Sequence, residues 1–148
     1  MGSPNSNGDG GARSRITIND GSAPVYVVRI EGVPTGEQFD AYLRQLTDIV
    51  LRPGPRALIF DATTAGPTPA AHRKKQAEWM KRFENETRAT TVGTAFVLPS
   101  ALMRGILTAI LWLQPMACPH VIVATLAEGL EWARERLHQS VPKPLSLQ

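Results

Sequence analysis

In the middle of the chain, between two helical patterns, lies ALIFD, an apolar run from Ala57 to Phe60 that ends on the carboxylate of Asp61. The run is too short for an ordinary helix and has no polar position, so it reads as a strand covered on both faces. Such a strand belongs inside a parallel sheet, and parallel neighbours need crossover helices to join them. A polar turn of Thr63, Thr64, Ala65, Gly66 and Pro67 follows. A helix then opens with Thr68 as its N-cap and Pro69 at the first position, where a missing N–H costs nothing. Open α/β sheets meet ligands and partners outside the carboxyl ends of their strands. Asp61, Thr63, Thr64 and Thr68 are therefore candidate binding residues.

The flanking segments supply the elements that such a sheet requires. ITI (Ile16 to Ile18) and VYVVRI (Val25 to Ile30) are β-branched, and Asn19, Asp20 and Gly21 between them predict a hairpin turn. Thr35 and Gln38 form a capping box. The helix behind it places Phe39, Tyr42, Leu43, Leu46, Ile49 and Val50 on one face and stops at Arg52, before Pro53-Gly54-Pro55. The second helix is predicted from about Pro69 to Arg88, with Ala71, Ala77, Met80 and Phe83 inward, Trp79 at the edge and His72, Arg73, Lys74 and Lys75 outside. VGTAFVL (Val92 to Leu98) is the next strand, Ser100 caps a third helix over Ala101 to Leu113, and HVIVA (His120 to Ala124) is the last strand. Thr125 and Glu128 make a second capping box, and the last helix turns Ala127, Leu130, Ala133 and Leu137 inward. The order β-β-α-β-α-β-α-β-α predicts a single α/β domain over 15–139, with a mixed, mostly parallel sheet and an antiparallel edge. Residues 1–14 read as a disordered arm, rich in Gly and Ser, and 140–148 as a flexible tail.

The third helix departs from the usual pattern. Leu102, Met103, Ile106, Leu107, Ile110, Leu111, Trp112 and Leu113 leave little polar face beyond Arg104 and Thr108. A helix that is apolar all round is buried on more than one side. At about 13 residues it is roughly 20 Å long, too short to span a bilayer. It packs in a homodimer or partner interface, lines an apolar pocket, touches a membrane surface or is plain core. Met103, Arg104, Ile106, Leu107, Ile110 and Trp112 are accordingly candidate binding residues, since Met, Arg and aromatic side chains are enriched at interfaces.

This order of elements resembles the STAS-like domains of anti-sigma-factor-antagonist type, in particular the bacterial, SpoIIAA-like branch grouped with STAS and the CRAL-TRIO lipid carriers. The stretches that carry the resemblance are LIFDATT, the tryptophan-bearing AEWM, VGTAFVLPSALMRG and TLAEGLEWARERL. The resemblance implies a non-enzymatic adaptor that docks a protein partner around its third strand and second helix. Its CRAL-TRIO side implies a small apolar ligand or lipid instead. Members of the STAS type are switched by phosphorylation of a serine in an Asp-Ser pair. Here Asp61 is followed by Ala62, Thr63 and Thr64, so a threonine takes that role only by analogy.

Other chemistry finds little support. A formal charge of +3 in 148 residues is too slight a surplus for a dedicated nucleic-acid binder. One cysteine, Cys118, allows no intramolecular disulfide, and an intracellular, cytoplasmic setting is the expectation. The three histidines have no metal-ligand spacing, so neither a metal nor a cofactor is expected. Ser100 lacks the G-x-S-x-G elbow and reads as an N-cap. Asp61 without a placed partner reads as an acceptor for backbone N–H groups rather than a catalytic base. The chain is expected to work by binding, not by catalysis.

Overall fold

A computed structural model describes residues 14–140. Apart from Ser14 and Ser140, the arm and the tail expected at the two ends lie outside the described residues. Five strands are hydrogen-bonded in chain order, β1 (Arg15–Ser22), β2 (Val25–Gly32), β3 (Arg56–Ala65), β4 (Thr91–Val97) and β5 (His120–Val123). β1 is antiparallel to β2, and every other pair is parallel.

That order determines where the helices go. Crossovers between parallel strands are right-handed with few exceptions, so three crossovers stepping the same way across a sheet put their helices on one face. α1 (Gly36–Val50), α2 (Ala70–Arg82) and α4 (Ala101–Leu113) lie together in this way. The opposite face would be bare if α5 (Leu126–Ser140) did not fold back across it.

Each face has its own core. On the three-helix side Tyr26, Val28 and Leu58 pack against Phe39, Tyr42, Leu46 and Ile49 of α1. Ala62, Phe96 and Leu98 pack against Met103 and Leu107 of α4. On the other side Val25, Ala57, Ile59, Ala95 and Val97 pack against α5, around the fully buried Ala133. The alternation of strand side chains therefore sends Leu58, Phe60 and Ala62 one way and Ala57, Ile59 and Asp61 the other.

The capping box of α1 forms as the spacing predicts, with Thr35 accepting from the Gln38 amide and the Gln38 side chain accepting from the Thr35 amide. At its other end the helix stops at Val50, two residues earlier than expected. The buried guanidinium of Arg56 there donates to the carbonyls of Ile49, Arg52 and Gly54. One side chain on β3 thus satisfies carbonyls that a helix end leaves without partners.

Several boundaries are corrected. The hairpin turns at Ala23-Pro24, and Asn19 to Gly21 form an irregular stretch within β1, where Asn19 Oδ1 accepts from the Gly21 amide. β3 continues past Asp61 to Ala65, so Thr63, Thr64 and Ala65 belong to the strand rather than to a turn. Pairing with β2 holds it extended that far, through Glu31 to Thr64 and Gly32 to Ala65. Pro69, not Thr68, occupies the N-cap of α2, and no side chain caps it.

The predicted helix over Pro69 to Arg88 breaks at Phe83, and a separate α3 spans Glu84–Thr90. Glu84 and Glu86 begin it, acidic residues where a helix N-terminus favours them. The inner face of α2 is also rotated from the predicted one, with His72 and Ala77 buried and Ala71 exposed. Ala127 of α5 is exposed as well, and Gly129 takes the inward position beside Ala133.

Candidate functional site

The three-helix face does not close completely. Between the sheet and α1, α2 and α4 lies a cavity of about 140 Å³. Phe60 and Phe96, stacked with their centroids 5.4 Å apart, form its floor together with Leu58 and Ala62. Phe39, Tyr42 and Leu46 form the α1 wall, and Met103, Ile106, Leu107 and Ile110 the α4 wall. The α2 wall comes from His72, Gln76, Trp79 and Met80, whose spacing of four, three and one places them on one helix face. Among the described residues no Asp, Glu, Lys or Arg lines the cavity.

Most polar groups in the wall are satisfied within the protein. The Tyr42 hydroxyl donates to Gln76 Oε1 at 3.0 Å, and burial pushes its pKa well up, which keeps the phenol neutral. Trp79 Nε1 donates to Thr47 Oγ1 at 2.9 Å. Thr94 Oγ1 and Cys118 Sγ share a hydrogen at 3.3 Å. Burial raises the Cys118 thiol pKa, against the smaller opposing effect of that contact, so the thiol stays unreactive.

His72 is the exception. The residue is 7 % exposed, its ring lies flat on Phe39 with centroids 4.5 Å apart and planes 7° apart, and its Nδ1 has no hydrogen-bond partner. Burial lowers its pKa, Lys75 lowers it further and Asp40 opposes both, so the imidazole is neutral at physiological pH. Lys75 is occupied by Asp40 at 2.8 Å and leaves His72 without a charged partner. An unsatisfied buried polar atom costs about 1–3 kcal/mol.

The ten residues singled out from sequence are not one site. Asp61 and Thr63 sit on the α5 side of the sheet. There Asp61, 5 % exposed, accepts from the Thr63 amide at 3.0 Å and pairs with Arg29 at 3.5 Å. Asp61 does accept a backbone N–H, although within a strand rather than a turn. Thr64 is exposed at the strand end.

Thr68 belongs to the cavity wall on the other face, together with Met103, Ile106, Leu107 and Ile110. Arg104 and Trp112 point outward, with Trp112 85 % exposed beside Leu113, and Leu102 is open at the opposite end of the helix, each leucine 63 % exposed. α4 is thus neither buried all round nor a docking face along its whole circumference. Its inner residues wall the cavity, and its outer strip is open to solvent.

Sequence reasoning missed His72, Gln76, Phe39, Tyr42, Phe60 and Phe96 as site residues. The available signal was a polar pair four residues apart, His72 and Gln76, in register with Trp79, Met80 and Phe83. The adjoining Arg73-Lys74-Lys75 made the whole segment look like an outer face.

No family model matches the chain, and no curated protein matches it. Solved structures do. An uncharacterized protein of the DUF3478 family from Shewanella loihica, with a SpoIIAA-like fold, superposes with a TM-score of 0.60 at 12 % identity, over 82 % of this chain and 94 % of that one. An anti-sigma factor antagonist from Mycobacterium paratuberculosis superposes with a TM-score of 0.50 at 20 % identity, over 90 % of this chain and 99 % of the other. At these identities the likeness is one of fold, and the fold is the STAS-like, SpoIIAA-like one that the order of elements resembles.

Proposed function

We propose that this chain is a non-enzymatic regulatory module that works by binding, and that a small apolar ligand occupies the space between the sheet and α1, α2 and α4. The observation that carries the reading is the cavity itself, about 140 Å³ within a face otherwise closed by large side chains. Packed interiors rarely leave voids larger than a water molecule. An apolar space of about 150 Å³ is large enough to take up benzene. Among the described residues no Asp, Glu, Lys or Arg lines the cavity, which leaves no pair of charged acid and base side chains facing it. Titration with benzene, followed by amide chemical shifts, tests the reading. Saturable shifts confined to wall residues such as Leu58, Phe96 and Leu107 are expected. A flat titration up to the solubility of benzene removes the proposal.

A second reading, docking of a protein partner or of a second copy, draws support from the outer strip of α4. Trp112, Leu113 and Leu102 expose apolar surface of the kind that marks interaction sites. The likeness to an anti-sigma factor antagonist points the same way. Native mass spectrometry across a dilution series is the test, repeated with Trp112→Glu. A dimer that this substitution converts to folded monomer supports self-association in a cytoplasmic regulator. Monomer at every concentration removes self-association.

A further inference from the structure

The outer side of the three-helix layer carries two stripes of different chemistry, an apolar one on α4 and a basic one on α2. We infer that together they dock on an anionic lipid bilayer surface, the apolar stripe entering the headgroup boundary and the basic stripe meeting the headgroups. The inference is independent of the cavity and gives the outer strip of α4 an occupant other than a protein.

Helix geometry sets the stripes side by side. α2 and α4 pack against each other and run parallel, since both return between parallel strands. Lys75, three residues after the buried His72, pairs with Asp40 of α1, so that flank of α2 faces α1. α4 lies on the far side of α2 in the same layer. Its corresponding flank, three residues after the buried Met103, therefore faces α2. Leu102, Ile106, Ala109 and Leu113 recur on that flank at intervals of four, three and four, with Trp112 beside them toward solvent. On α2 the stripe opposite Lys75 is Arg73, Ala77 and Lys81, with the exposed Lys74 beside it.

The apolar stripe is open to water. Leu102, Trp112 and Leu113 are the most exposed large apolar side chains among the described residues. Apolar side chains scattered singly over a surface need no explanation, but these share one side of one helix.

The charge around them has one sign. α4 carries Arg104 and no acid, and the chain has no Asp or Glu between Glu86 and Glu128. The one acid of α2, Glu78, lies 4.0 Å from Lys74 at the surface, a pairing worth little. Arg73, Lys81 and Arg104 form no ion pair among the described residues. α3, with Glu84 and Glu86, packs on α1 and β4, and Glu84 is paired with Arg88.

An anionic bilayer answers both stripes at once. Its negative potential attracts Lys and Arg close to the surface, and its headgroup boundary takes up Trp and Leu. A second copy of this chain would bring the same bases and, along α4, no acid to meet them. With 13 residues α4 is too short to cross a bilayer and would lie in the plane of its surface.

The experiment is co-sedimentation of the full chain with large vesicles of phosphatidylcholine, alone or with about a third phosphatidylserine. Tryptophan quenching by lipids brominated on their acyl chains reports insertion. Binding to the phosphatidylserine vesicles is expected to be at least about tenfold tighter than to phosphatidylcholine alone, and to weaken as salt is added. Trp79 and Trp132 are half-buried, so the quenching should disappear in Trp112→Phe. Lys74→Gln and Lys81→Gln should each weaken binding roughly fivefold, and Trp112→Ala with Leu113→Ala at least about tenfold. Quenching in the unsubstituted chain remains a readout even where a variant fails to fold.

No binding to the phosphatidylserine vesicles at low salt overturns the inference. A dimer that Trp112→Glu dissolves would then give the strip to a second copy. Equal binding to both kinds of vesicle overturns the anionic surface. Binding to poly-L-glutamate as tight as to vesicles, and untouched by the Trp112 and Leu113 substitutions, overturns the lipid in favour of an acidic protein.

Discussion

The two faces of the sheet are built from the same strands and yet end differently. On the α5 side Ala57, Ala95 and Ala133 meet alongside Val25, Ile59 and Val97. At Gly93 the approach is so close that an added Cβ would lie 2.6 Å from the Trp132 ring. One helix with small residues at the contact settles closely onto the strands. On the other side three helices meet over the Phe60–Phe96 stack, each held off by long side chains, and the space where none of them reaches stays open. Void space follows from the number of covering elements and the volume of the side chains between them. It does not follow from hydrophobicity, which both faces share.

The sharpest way to break this comparison is truncation on each side. Ile59→Ala, at a fully buried position on the α5 face, should cost about 2–5 kcal/mol. Ile106→Ala removes the same atoms from a half-buried side chain already facing the void, and should cost less than half as much. Urea denaturation of the two variants gives the answer, and equal losses would mean that the faces are packed alike.

A smaller effect is expected from pH. His72 has a depressed folded-state pKa because of burial, so the unfolded chain takes up its proton first on acidification. Stability that is fully present above the ordinary histidine pKa of 6.5 falls as the pH drops through the window below it. The slope for this one group reaches at most about 1.4 kcal/mol per pH unit. The loss stops once the pH is below the folded value. Chemical denaturation at a series of pH values should show this slope, and His72→Phe should remove it. The smallest change should come from filling the void. Ala62→Val, at a buried wall position, is expected to gain about 0.5–1 kcal/mol and to weaken benzene binding. A loss of stability there would show that the space is less roomy than its volume implies.

The layout of the fold was readable because each part of it is local. The β-branched runs, the Thr35 capping box, the Ser100 N-cap and the proline stops all act within a few residues. The strand order, which placed the three crossover helices on one face, came from the structure. Where the reading failed, the deciding partner was distant in sequence. Pairing with β2 carried β3 past Asp61, and a stack on Phe39 of α1 drew His72 inward from a basic run. The candidate residues are divided between faces for a related reason. Alternation along β3 separates Asp61 and Thr63 from Ala62 by the full thickness of the sheet, so residues adjacent in sequence serve opposite faces. The cavity had no motif at all, being a shortfall among side chains contributed by strands β1 to β4 and helices α1 to α4.

The strand order also has a consequence for how the chain is made. Because the strands lie in the order in which they are synthesised, each strand after β1 leaves the ribosome after a neighbour it pairs with, and the three-helix layer can grow strand by strand. The α5 face has no such history. Val25, Ile59 and Val97 stand uncovered until α5, the last described element, has emerged and docked. The nascent protein therefore carries a finished cavity and an unfinished back, and the interval between the two is when it is most exposed to aggregation.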